Sequence, residues 1–297
     1  MSKFQIFTDS SSDLTTQMRK DHHIEYFRMG INVDGKDLPA DLDFKEYSAE
    51  QLYEWVKDPN VTIRTSLITM EEMVNRMKPY LDKGIDILYL ACTSVLSGTF
   101  NVFRLTIEDL QKEYPDRKIV GVDSCRAGMP LGMLTMDASK LQDEGKSIEE
   151  IVEWVNKEKL KYNLCGTVET LTYLKNAGRV SGASAFFGNL FGVKPIIIAD
   201  TLGHNYAVAK VKGTKKALMT LFDIVKDTVE GIEKPTIYIG QGMAQETSDY
   251  FKKRFTEELN ANIVEYWVGP IIGISCGPGV IHLACYGKEV TITSPEK

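Results

Sequence analysis

Ile85–Thr99, IDILYLACTSVLSGT, decides how the chain is read. Its first half is an apolar run of the kind buried on both faces of a parallel sheet. Its second half turns through Thr93-Ser94 and Ser97-Gly98-Thr99 into a helix predicted from about Ser97. The same strand–corner–helix order recurs on either side, in Phe4–Leu14 (FQIFTDSSSDL), Val61–Thr69 (VTIRTSLIT) and Lys118–Gly128 (KIVGVDSCRAG). Each corner sets hydroxyls beside unpaired backbone N–H groups and the positive end of a helix dipole, a place suited to a small anion. Strands alternating with helices imply a mostly parallel sheet with helices on both faces, so the first half reads as a Rossmann-like α/β unit.

Outward from that core, a helix is predicted over 12–20 with Ser12 or Asp13 at its cap. Asp34-Gly35 marks a hairpin turn within Asn32–Pro39, and Ser48–Lys57 is amphipathic. Thr69-x-x-Glu72 and Ser147-x-x-Glu150 are capping boxes, opening helices over Met70–Leu81 and from Ser147 to about Leu160. Beyond 160 the texture changes. Strands are predicted at 164–168, 193–199, 205–211, 235–240, 263–274 and 280–286, with helices near 169–176, 181–190, 213–229 and 244–259. A turn at Asp200–Gly203 argues for antiparallel pairing. Two domains are therefore expected: 1–160, α/β, and 161–297, α+β with a mixed or antiparallel sheet.

The 297 residues suffice for two cores, and 35 basic against 41 acidic residues leave a net charge of −6 without a dense Lys/Arg run. Nucleic acid is not an expected partner. The N-terminus turns polar too early for a signal peptide, and no apolar stretch reaches about 18–20 residues, so a cytoplasmic protein with no stable membrane insertion is expected. Cys92, Cys125, Cys165, Cys276 and Cys285 lack CxxC spacing and read as reduced, mostly buried thiols. The four histidines form no ligand-spaced cluster, so neither a metal nor another cofactor is implied.

Composition and spacing stop at an anion site in an α/β domain. The motifs go further. Thr8-Asp-Ser-Ser, Thr65-Ser66, Ser97-Gly-Thr, Glu169-Thr-Leu-x-Tyr-Leu running into Gly178-Arg179-Val180, Lys194-Pro-Ile and Gly277-Pro-Gly279 occur in an order that resembles the DegV family of bacterial fatty-acid-binding proteins across essentially the whole chain. The resemblance implies two α/β domains, an acyl chain such as palmitate in an apolar tunnel, and a carboxylate near the domain interface. It further implies that Thr65 and Ser97 hydrogen-bond the carboxylate and that Arg179 lies close to it. Hydroxyl bonds to a charged group contribute roughly 1.5–3 kcal/mol each. A chain of about fourteen methylenes adds on the order of 11 kcal/mol before ordering costs. Phe186, Phe187, Leu190, Phe191 and Ile196–Ile198 are candidate lining.

One departure stands out. Many family members carry histidine two residues before the Gly-Pro-Gly turn, where this chain has Ser275, and His282 beyond the turn is no assured substitute. The resemblance implies a separate fatty acid kinase as partner for histidine-bearing members. Serine carries no charge near neutral pH, which puts that partner in question here. The alternative to a non-catalytic carrier is a phosphoryl- or acyl-transfer enzyme, with Ser97 as nucleophile or phosphate clamp and Asp9 or Asp123 as base. Neither a GxxxxGK[ST] loop nor a GxSxG elbow supports it. A lipid-sensing regulatory module ranks last.

Overall fold

The computed structural model of the chain describes residues 4–181 and 192–295. Among these, the first half runs β1 (Phe4–Asp9), α1 (Thr16–Asp21), β2 (Glu25–Phe27), β3 (Gly30–Val33), β4 (Lys36–Pro39), α2 (Ala49–Lys57), β5 (Ile63–Ser66), α3 (Met70–Leu81), β6 (Asp86–Ala91), α4 (Thr99–Glu113), β7 (Ile119–Asp123), α5 (Met129–Asp143) and α6 (Ile148–Glu158). The second half runs β8 (Tyr162–Thr167), α7 (Leu171–Ala177), β9 (Val180–Ser181), β10 (Val193–Ala199), β11 (Asn205–Lys212), α8 (Thr214–Thr228), β12 (Thr236–Gly242), α9 (Gln245–Leu259), β13 (Asn262–Trp267), α10 (Pro270–Cys276) and β14 (Val280–Tyr286). The helix expected near 181–190 falls outside the described residues, apart from Ser181 in β9.

The fold is α/β, as the alternation predicts. A parallel sheet of order β2-β1-β6-β7 is flanked by helices. Strand β6, the apolar run of the decisive stretch, lies between two neighbours and is buried at every position. A mixed sheet follows, of order β13-β12-β14-β8-β10-β11-β9 and antiparallel at its centre. Helix α5 is buried nearly all round because it packs on β1 and β6 on one side and β8 and β14 on the other. One apolar cluster therefore runs from the parallel sheet to the near face of the mixed sheet. A second fills the far face, around Phe222 of α8 and Phe251 of α9.

Several expectations change in detail. Val61–Thr69 is not a corner of the parallel sheet. Strand β5 pairs antiparallel with β3, in a small sheet β4-β3-β5, because the Asp34-Gly35 hairpin (φ 49° and 85°) brings a free strand edge to it. The first helix starts at Thr16 with Thr15 as its cap, since Asp13 is left-handed at φ 55° and cannot sit at a helix start. Helix α4 begins at Thr99, with Gly98 at the cap. The apolar run 263–274 is not one strand: β13 ends at Trp267, and Gly269-Pro270 opens α10, proline being tolerated in a helix's first turn. The Ser147–Glu150 box closes reciprocally. At Thr69 only half of the box forms, because the Glu72 carboxylate is taken by Arg28 and Arg76.

Candidate ligand-binding site

The carboxyl edge of the parallel sheet faces the mixed sheet, and the corner residues there are almost wholly buried, from Thr8 through Asp13. Some of the corner hydroxyls are already committed, whereas Thr8 Oγ1, Ser12 Oγ and Thr93 Oγ1 are buried without a hydrogen-bond partner among the described residues. Ser10 Oγ accepts from Met29 N, Ser11 Oγ donates to Asp9, and Ser124 Oγ donates to the Ala91 and Arg126 carbonyls. Asp9 accepts four hydrogen bonds, from Ser11 N and Oγ on one oxygen and from Tyr89 Oη and Cys92 N on the other. Asp123 accepts from Ser94 N and Cys125 N. Both carboxylates brace corners, and neither hydrogen-bonds Ser97. Ser97 Oγ instead donates to Thr99 Oγ1 and accepts from Thr99 N, at 2.9 and 3.3 Å.

Beyond this edge lies a cavity of about 370 Å³, within the range of small-molecule sites. Its mouth gathers Thr65 and Ser66 of β5, Ser97 before α4, Arg179 after α7 and Ser275 of α10. All four residues implied by the family resemblance (Thr65, Ser97, Arg179 and Ser275) line it, although they come from four separate segments. An open polar groove shares Thr65, Arg179 and Ser275 with the mouth. Thr65 and Ser66 are exposed and make no side-chain hydrogen bond among the described residues. Arg179 follows Gly178 (φ 64°) and donates to the Ala177 carbonyl at 2.6 Å, so it does close the end of α7. It has no carboxylate partner among the described residues. Ser275 Oγ donates back to Ile271 O at 3.2 Å.

Inward, the wall turns apolar, with Leu96, Leu164, Leu174, Ile197 and Ile272. Strand period explains why Ile197 faces the cavity while Ile196 and Ile198 pack on the far face. Phe186, Phe187, Leu190 and Phe191 lie outside the described residues. Two thiols, Cys92 and Cys276, also line the interior; burial pushes Cys276 up to about 12 and Cys92 up as well, so both stay protonated. All five cysteines are unpaired, and only Cys125 is not buried. The described residues contain no group of His, Cys, Asp and Glu able to hold a metal.

Sequence reasoning missed the seat of α10. The Asp13 Oδ1 accepts from Gly269 N at 3.0 Å, and Tyr53 Oη donates to Val268 O at 3.0 Å, so the loop before α1 and helix α2 together hold the start of the helix that carries Ser275. Burial pushes the Asp13 carboxyl up to about 8, against the pull of the Gly269 N–H. His282, which the sequence named only as no assured substitute for the family histidine, is buried in the cavity wall, where burial lowers its imidazole to about 4. The alternation of β14, with Val280, His282 and Ala284 on one face, was the available signal.

An α/β pair of sheets thus borders a largely apolar cavity that alcohols and one arginine help to line. The family model for uncharacterised proteins of the DegV family matches residues 3–288. A DegV domain-containing protein of Clostridium perfringens is 33% identical over 288 residues, covering 97% of this chain and 98% of its own. The chain belongs to the DegV family. Among solved structures, a DegV family protein from Thermus thermophilus described as binding fatty acid superposes with a TM-score of 0.84 at 24% identity, covering 96% of this chain and 100% of its own. A stearic acid-binding protein from Eubacterium ventriosum gives 0.86 at 22%, covering 96% and 98%. The motif fragments meet in space. Lys194 Nζ pairs with Glu169 at 2.6 Å, and a Cβ on Gly279 would stand 2.6 Å from the Glu169 Cβ.

Proposed function

We propose that this chain is a non-catalytic carrier that binds a long-chain fatty acid, such as palmitate, with its tail in the 370 Å³ cavity. Thr65 and Ser97 hold the carboxylate, Arg179 supplies counter-charge, and Ser275 lies beside them. One observation carries the reading: hydroxyls and a guanidinium without a carboxylate partner among the described residues line one largely apolar cavity. The fatty acids named for the solved relatives support it. Against transfer chemistry, Asp9 and Asp123 are engaged in bracing the corners, and the cavity thiols are protonated. The reading does not require a kinase partner, since Ser275 is bonded to its own helix and brings no charge. No helix among the described residues is long and apolar enough to cross a membrane, which suits a carrier that holds its lipid inside. Mass spectrometry of lipid extracted from the purified chain tests the proposal. A copurified fatty acid that is lost from a Thr65→Val, Ser97→Ala double variant supports it. Lipid-free protein with no saturable binding of any acyl chain overturns it.

A further inference from the structure

The carrier reading gives His282 no part in holding the head group, and the residue's surroundings call for a role. It projects from β14 into the cavity wall, and its partners on both neighbouring strands are glycines, Gly240 and Gly166. A Cβ on Gly166 would stand 2.7 Å from the His282 Cδ2, so the glycine makes room for the ring. The imidazole Nδ1 is buried without a hydrogen-bond partner, and Nε2 lies 3.9 Å from the Cys276 Sγ, a long contact to a weak partner. Leu164, Ile197 and Ile272 line the same cavity.

We propose that His282 makes the cavity selective for an acyl chain bearing a hydroxyl along its length. The inference rests on the fatty-acid reading and names the ligand class within it. A neutral imidazole offers one donor and one acceptor, and a hydroxyl can meet either. A plain methylene chain drawn past it leaves a buried nitrogen unpaired or holding a trapped water, which is unfavourable in an apolar wall. Because burial keeps the ring uncharged near neutral pH, it does not compete with Arg179 for the carboxylate.

The test is displacement of a fluorescent fatty acid from the delipidated full chain, comparing stearate with positional isomers of hydroxystearate. At least one isomer is expected to bind about tenfold more tightly than stearate. That advantage should vanish in His282→Leu and persist in His282→Gln, which keeps a donor and an acceptor. Stearate binding as well as every isomer overturns the inference while leaving the carrier reading intact, as does a preference that survives in His282→Leu. Failure of all acyl chains to bind overturns both. If His282→Leu does not fold, His282→Phe, which also lacks a donor and an acceptor, takes its place with the same expected loss.

Discussion

Replacing Asp13 by asparagine should reshape the pH dependence of stability. The carboxyl sits at the junction that seats α10, and its folded-state pKa is raised from 3.8 to about 8, chiefly by burial. Below about pH 4 it is protonated in both folded and unfolded chains and has no effect. Between about pH 4 and pH 8 the unfolded chain releases the proton and the folded chain keeps it. The folded state then binds more protons, and stability falls as pH rises. The slope is about 1.4 kcal/mol per pH unit, or about 3 kcal/mol between pH 5 and pH 7. Asparagine retains the oxygen that accepts from Gly269 N and tolerates the left-handed backbone at φ 55°. It does not titrate. Urea unfolding of both proteins at pH 5, 6 and 7 isolates the effect in the difference between them, because lowered carboxylates such as Glu72 and Asp200 are common to both. The variant's advantage should widen steadily with pH. Parallel curves would refute the claim that Asp13 is held protonated.

Thr65→Val and Ser97→Ala should each weaken fatty-acid binding by about 1–3 kcal/mol with the fold retained, read by calorimetry and circular dichroism; unchanged affinity in both means the carboxylate is held elsewhere. Ser275→His should tighten binding more at pH 5.5 than at pH 8, since an imidazole there is charged only at the lower pH, and a pH-independent response would contradict its proximity to the carboxylate. Ser147→Ala breaks a reciprocal capping box and should lower stability by about 1 kcal/mol without touching affinity, as chemical denaturation and ligand titration would report.

Local sequence carried much of the fold because its signals are short-range. The apolar run of β6, the Asp34-Gly35 turn and the apolar stretches of β10 and β14 depend on neighbours a few residues apart, and each appears where predicted. Errors arose where a short-range pattern admits two answers. The apolar segment Ile263–Ile274 of the sequence reads equally as strand or helix, and only packing against the first half settles Pro270–Cys276 as α10. Val61–Thr69 has the look of a sheet corner, yet a long-range edge claims it for the antiparallel β5.

By itself, the chain's order of residues determined the parallel α/β core, the mixed second sheet and the family, and the resemblance supplied the four residues proposed for the head group. That outcome was possible because hydrophobic period and turn chemistry are local, and because motif order survives as a pattern. Only the tertiary structure decided which hydroxyls remain available, that Asp13 meets Gly269, and that His282 stands in the cavity wall between two glycines. Those facts depend on hydrogen-bond competition and burial between segments far apart in the chain, which spacing along the sequence does not encode.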